Sequence, residues 1–283
     1  MARTTKRMAS RVRATESQKM TTGALIFAFN NEHTDYVKMA AWSAKRIRKF
    51  LNIPVAVVTN AVTEPGQFDR VITAEPTTGG TRYFEDYETT VSWHNAGRTD
   101  AYALSPWDQT LVLDADYVVC SDILAQVLNS SKDFLCFKDA FDVTNNNDFN
   151  GLNSFGANKF PMWWATVMMF RRSNTAQYIF DTMNMIKQNW EHYRNIYNIG
   201  PSLYRNDYAL SIALALVNGH TLNVDSIPWS LPRVRPENQL TFEHNQWVVN
   251  FTNSSGQLRN TSMAGVDFHA MGKKHLEAAI EAA

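Results

Sequence analysis

Four short stretches of the chain carry residues whose types and spacing could do chemistry. The first is Leu111–Asp122, "LVLDADYVVCSD", where Asp114 and Asp116 stand one residue apart in an otherwise apolar run. A carboxylate among Leu and Val is unfavourable unless it is paired or bound to a cation. Two carboxylates at a strand end can offer hard oxygen ligands to one Mg²⁺ or Mn²⁺, which completes its shell with substrate phosphates. The other reading is a turn, where Asp is common. The second stretch, "DFHAMGKKHL", places His269 just before Gly272, Lys273 and Lys274. A helix opening at Gly272 with adjacent lysines would favour an anion. His269 is either a ligand or a solvated or packed histidine. The third is "RNDYAL", with Asp207 at the start of a predicted helix. There it is either a group facing a reaction centre or an acid favoured by the helix dipole. The fourth is "WWATVMMF", whose Trp163 and Trp164 either stack on a sugar face or fill core.

These residues need elements to hold them. Ala24–Phe29 is a buried-strand run ending in Asn30 and Asn31. Tyr36–Phe50 has helical spacing, with Val37, Ala40, Ala41, Ala44, Ile47 and Leu51 on one face. Val55–Thr59 and Arg70–Ile72 read as strands, 73–90 as a polar loop, 93–104 as a helix and Thr110–Leu113 as the strand feeding the acidic pair. Strand and helix alternating in this order predict a parallel α/β sheet with right-handed crossovers. Ligands of open sheets bind beyond the carboxyl ends of strands, where Asn30, Thr59, Asp114 and Asp116 all fall. Farther on, Asp122–Leu128 reads as a short helix, Phe134–Phe137 and Val167–Phe170 as strands, Ala176–Gln188 and Asn206–Asn218 as helices, and Gln246–Asn250 as a strand. Residues 142–158 form an Asn-rich loop.

Together these segments resemble the GT-A glycosyltransferases. "LVLDADYVV" is similar to their DxD segment. "FHAMGKKH" resembles the closing His-x-x-Gly-x-x-Lys segment of glycosyltransferase family 8, the glycogenin and galactosyltransferase-like group. "FAFNNEHTDYVKMAAWSAKRI" fits the family's first strand and helix, and "RNDYAL" resembles a segment leading into one of its helices. The resemblance extends loosely over about residues 21–275. It implies a single GT-A domain, Rossmann-like, with a mixed, mostly parallel sheet. It further implies a nucleotide-sugar donor, most simply a UDP-sugar, and transfer with retention. Asp114, Asp116 and His269 would hold Mn²⁺ (or Mg²⁺) against the diphosphate, with Gly272, Lys273 and Lys274 beside it. Asn30 and Thr59 would lie near the nucleoside, Arg98 near the phosphate or sugar, and Asp207 near the reacting centre. Two departures stand out. Position 275, where the family has its lysine, is His. "WWATVMMF" replaces the segment that meets the donor sugar, so the identity of the sugar does not carry over.

Composition bounds the rest. The chain has 283 residues, 45% hydrophobic and 19% charged, and zero net charge. Residues 1–20 hold six basic side chains and one acid, so the remainder has 21 basic and 26 acidic groups. That basic arm lacks the apolar core of a secretory signal and is expected to be a disordered extension. The domain is expected over 21–283, in a cytoplasmic setting and without a membrane span. Cys120 and Cys136 read as buried thiols. Asn-x-Ser/Thr matches at Asn129, Asn250, Asn253 and Asn260 read as chance. A nucleotidyltransferase is a competing reading, although "FAFNNEHTDY" has no glycine for the phosphate loop of that class. A binding protein that keeps the fold without catalysis is another. The acceptor is open among a glycan, a protein and a modified nucleic acid such as hydroxymethylated DNA bases. The aromatic set Trp93, Tyr102, Trp107, Trp163, Trp164 and Trp229 could serve it. The acidic body argues against strong duplex binding. The sequence leaves the oligomeric state open.

Overall fold

A computed structural model describes residues 20–144, 153–221 and 224–282. The basic arm up to residue 19, and 145–152 of the Asn-rich loop, lie outside the described residues. In chain order the strands are β1 (Thr22–Phe27), β2 (Val55–Thr59), β3 (Arg70–Thr73), β4 (Thr81–Phe84), β5 (Thr89–Ser92), β6 (Gln109–Leu113), β7 (Tyr117–Val118) and β8 (Phe134–Phe137). They continue as β9 (Ala140–Asp142), β10 (Ser154–Phe155), β11 (Phe160–Pro161), β12 (Trp164–Arg171), β13 (Leu231–Val234), β14 (Gln239–Glu243), β15 (Gln246–Thr252), β16 (Leu258–Ser262) and β17 (Phe268–Ala270). The α-helices are α1 (Tyr36–Leu51), α2 (Ala101–Leu104), α3 (Ala125–Leu128), α4 (Asn174–Gln188), α5 (Trp190–Ile196), α6 (Asn206–Val217) and α7 (Lys273–Glu281).

The central sheet runs β3-β2-β1-β6-β12-β8. Its first four strands are parallel, and β12 lies antiparallel to both β6 and β8. The expected mixed, mostly parallel α/β sheet is therefore what the chain builds. Strands β1, β2 and β6 are apolar on both faces and buried almost throughout, as a sheet covered on both sides requires. Helix α1 starts where the Asp35 carboxylate accepts from the Lys38 amide (3.0 Å) and ends where Asn52 turns into the left-handed region (φ 52°). Its predicted face, Val37, Ala40, Ala41, Ala44, Ile47 and Leu51, is buried. Removing a side chain such as Ile47 from water contributes about 1.5–3 kcal/mol. Helices α4 and α6 pack against each other beside β12.

A second sheet, β7-β17-β13-β9, matters most for the site. Strand β17 pairs antiparallel with β7, setting His269 opposite Tyr117, and parallel with β13, setting it opposite Arg233. The end of the chain is thereby tied to the strand that follows the acidic pair.

Three expectations are corrected. The 73–90 segment is not all loop: β4 and β5 form a hairpin whose turn leaves Glu88 at φ 50°. The 93–104 segment is not one helix but a 3₁₀ turn over Ala96–Asp100 followed by the single turn of α2. Gly97 in its middle weakens an α-helix, and Asn206 Nδ2 ties the Asn95 carbonyl at 2.9 Å. The 122–128 segment is α-helical only over the single turn of α3.

Candidate active site

Beyond the carboxyl ends of the parallel strands lies a cavity of about 390 Å³. Of the sequence-selected residues, Asp114, Asp116, His269, Lys273, Arg98 and Asp207 line it. Asp114 follows β6 directly, and its amide donates to the Thr166 carbonyl of β12 (3.0 Å). The antiparallel β12 thus fixes the backbone of the acidic pair. Asp116 is set from the other side, its carbonyl accepting from the Ala270 amide (3.0 Å) as β17 docks.

Ligating atoms of Asp114, Asp116 and His269 all lie within 4.8 Å of one another. His269 Nε2 is 3.3 Å from Asp116 Oδ2, and its Nδ1 is buried with no hydrogen-bond partner. Two carboxylates and an imidazole are a donor set suited to a divalent ion. Nε2 is the ring nitrogen turned toward the Asp116 carboxylate and so the one placed to ligate. The residues fit a metal.

Each acid also has a cationic partner. Arg98, 2% exposed, ion-pairs with Asp114 and donates from Nη1 to the Ala165 carbonyl (2.7 Å). Lys273 pairs with Asp116, and its ammonium also donates to the carbonyls of Met271 (2.9 Å) and Ala270 (3.3 Å). Burial opposes ionisation of Asp116, but Lys273 and His269 outweigh it and hold the carboxyl well below the usual range. Burial lowers the His269 pKa, with Asp116 pulling the other way, so the imidazole stays neutral and able to ligate. Burial pulls the Arg98 guanidinium down to about 10, still charged at neutral pH. Lys274, in contrast, is exposed and does not line the cavity. Gly272 begins α7 against β13's continuation. A Cβ there would come within 3.1 Å of the Pro236 carbonyl oxygen, so a larger residue would push α7 away from the site.

Asp207 opens α6. Its Oδ1 accepts from the Ala165 amide (2.9 Å) and its Oδ2 meets Arg205 (3.1 Å). Burial opposes the ionised form, but Arg205 and the Ala165 amide prevail, and the carboxyl sits below its ordinary range. Arg98 and Asp207 both grip the peptide groups of Ala165 because β12 bulges there. Trp164 pairs with Phe137 and Met168 with Cys136, so residues 165–167 have no counterpart on β8. The bulge frees Ala165 from the ladder and hands it to the site.

Other sequence-selected residues lie elsewhere. The Asn30 carboxamide oxygen accepts from the Val37 amide at the start of α1 (3.0 Å), and Thr59 is fully buried with its hydroxyl accepting from the Ala61 amide (3.1 Å). Neither lines the cavity; Asn31 and Tyr36 do. Of the aromatic set, Trp93 and Trp164 line it. Tyr102 bonds the Ser173 carbonyl, Trp107 bonds the Ala24 carbonyl, Trp229 packs edge-on against Phe137 and Trp163 is buried with its amide on Ser211. Sequence reasoning missed three cationic lining residues, Arg82, Arg205 and Arg233. Arg82 lies over Trp93 (3.6 Å) and Arg233 over Trp164 (4.3 Å). Arg205 was visible beside Asp207 in "RNDYAL"; the other two reach the cavity from separate strands and left no local signal.

No model of a protein family matches the sequence, and neither does any curated protein. Among the described residues no helix is long and apolar enough to cross a membrane. Solved structures that the chain resembles include glycosyltransferases. A galactosyltransferase LgtC in complex with donor and acceptor sugar analogs is 13% identical over 68% of this chain and 70% of its own, with a TM-score of 0.44. The glycosyltransferase GlyE of Streptococcus pneumoniae TIGR4 is 10% identical over 74% of this chain and 45% of its own, at 0.42. WbbM, a bifunctional glycosyltransferase, is 12% identical over 77% of this chain and 48% of its own, at 0.37.

Proposed function

We propose that the chain is a metal-dependent glycosyltransferase that moves a sugar from a nucleotide-sugar donor, most simply a UDP-sugar, to an acceptor hydroxyl with retention. The observation that carries this reading is the Asp114, Asp116 and His269 cluster, with Lys273 beside it, in a cavity beyond the strand ends. It agrees with the resemblance of the same segments to the DxD and closing His motifs of family 8.

Asp114, Asp116 and His269 would hold Mn²⁺ or Mg²⁺, which when bound supplies Lewis acidity to the leaving phosphate oxygens. The chain's own groups do the remaining work. Lys273, fixed by two carbonyls and Asp116, stabilises negative charge as it develops on the diphosphate. Arg98 pairs with Asp114 and aims it. Asp207, ionised and anchored to Ala165, faces the cavity where positive charge grows on the anomeric carbon. In the transfer itself the anomeric carbon–oxygen bond breaks and its electron pair leaves with the nucleoside diphosphate. The acceptor oxygen bonds the carbon, and its proton passes to the departing phosphate oxygen. The donor base would lie against the side of the cavity lined by Phe29, Asn31 and Tyr36.

The test is a screen of nucleotide sugars with Mn²⁺ or with EDTA, read by mass. Turnover should need the metal and release nucleoside diphosphate, and Asp116→Asn should abolish it while the fold survives. Pyrophosphate as product would point to the nucleotidyl reading, and unimpaired turnover by Asp116→Asn would sink this one.

A further inference from the structure

The cavity holds more positive charge than its metal end requires. Five cationic side chains, Arg82, Arg98, Arg205, Arg233 and Lys273, and four acids, Asp114, Asp116, Asp207 and Glu85, line it. A divalent ion and the two negative charges on the diphosphate of a nucleotide sugar offset one another, so loading the donor leaves the lining net positive. Most of the cations are spoken for. Arg98 is matched by Asp114, Lys273 by Asp116 and Arg205 by Asp207. Arg233 lies over Trp164 and feels the charges of Asp207 and Asp142. Arg82 is different.

Arg82 rises from the β4–β5 hairpin and is held in place without a carboxylate. It lies over Trp93, 3.6 Å from the ring centre, and donates from Nη2 to the Tyr204 carbonyl (3.0 Å). Among the described residues no acid pairs with it, and Glu85, the acid of its own hairpin that lines the cavity, is exposed at the turn. The carbonyl it grips precedes Arg205, so two guanidiniums are drawn to one side of the cavity. Burial and the like charge of Arg205 pull Arg82 down to about 10, against the attraction of Asp207, which no salt bridge joins to Arg82. Asp207, paired with Arg205, offsets only one of these two positive charges, and guanidinium forks are shaped to share a phosphate or carboxylate.

We propose that Arg82 and Arg205 form an anion-binding subsite for a charged acceptor, taking a phosphate or carboxylate carried by the hydroxyl compound that receives the sugar. The proposal rests on the reading of this cavity as a sugar-transfer site. Glycans bearing such a group, and phosphorylated sugars, have the right chemistry; neutral sugars do not.

Calorimetric titration of glucose 6-phosphate, glucuronate and glucose into the full chain loaded with UDP and Mn²⁺, at low salt, tests this. The charged sugars should bind about tenfold or more tightly than glucose. Arg82→Met should remove most of that difference, Arg82→Lys should keep part of it, and Lys132→Met, at a remote surface ion pair, should leave it whole. UDP affinity in each variant reports whether the loaded fold persists. Equal binding of charged and neutral sugars, or a preference that survives Arg82→Met, would overturn the proposal. So would competition between glucose 6-phosphate and UDP, which would assign both arginines to the diphosphate. If UDP and Mn²⁺ do not bind at all, the reading of the site as a donor pocket falls. The same three titrations on the unloaded protein then decide the subsite alone, by the same criteria.

Discussion

Asp114→Asn, studied in EDTA, isolates what the acidic pair does for the fold before any ligand arrives. The Arg98 guanidinium is 3% exposed at the side chain and Asp114 is 18% exposed. The amide is isosteric with the carboxylate, so no cavity opens and the change is one of charge. Removing one partner of a buried ion pair costs about 3–5 kcal/mol, because the other charge is left uncompensated. Two features of this site pull the value to the lower end. Asp114 keeps some water, and Arg98 still feels Asp207 and Asp116. About 3 kcal/mol is the expected loss, which for a chain of this length lowers the melting temperature by roughly 6 °C. The double variant Arg98→Met/Asp114→Asn should recover only about half, since Met cannot donate to the Ala165 carbonyl that Arg98 now satisfies. Urea unfolding of the wild type, the two single variants and the double variant gives the coupling energy directly. A loss below about 1 kcal/mol for Asp114→Asn, or a double variant no better than the worse single one, would refute the argument that Arg98 depends on this acid.

Three other outcomes follow from the same packing. A Cβ added at Gly23 would run into the indole of Trp107, so Gly23→Ala should cost about 1–3 kcal/mol in urea unfolding; a neutral result would mean that Trp107 moves aside freely. Burial pushes the Cys120 thiol up to about 11 and also raises Cys136 well above the usual thiol range, so neither should react with a disulfide reagent at pH 8 until the chain is unfolded; prompt labelling of either in the native state would contradict this. Burial works against the Asp69 carboxylate, but the Val55 amide (2.8 Å) and Arg48 (3.0 Å) outweigh it and lower its pKa in the fold. Its stabilising effect is therefore complete above the unfolded pKa of about 3.9 and fades as pH falls through the lower folded value. The stability gap between wild type and Asp69→Asn should be seen at pH 7 and close in strong acid; a gap independent of pH would rule out the ionised form as its source.

The parallel sheet was legible because period and burial agree: α1's apolar face and the β-branched run of β2 are buried where the pattern put them. The β4–β5 hairpin was not, since Thr81–Phe84 and Thr89–Ser92 are short, partly polar strands joined by a turn with no Asn-Gly or Asp-Gly signal. The DxD pair and His269 could be joined on paper only through a family resemblance, because nothing in spacing relates residues 153 positions apart. Asp114's partnership with Arg98 was missed for a related reason. A lone arginine in an interrupted helical segment does not reveal that the segment folds as a 3₁₀ turn beneath the sheet's edge. Which lysine lines the cavity was equally hidden until β17 set the phase of α7, turning Lys273 inward and leaving Lys274 outside.

The pairing of β17 with β7 also orders events during synthesis. Strands β1, β2, β3, β6, β8 and β12 can assemble into their sheet once residue 171 has left the ribosome, with Asp114 already gripped by Arg98. Asp116 at that moment has neither His269 nor Lys273, which are about a hundred residues from being made. At that stage the cluster of Asp114, Asp116 and His269 is incomplete. The segment that completes the cavity lining is thus made well after β7, the strand on which it docks.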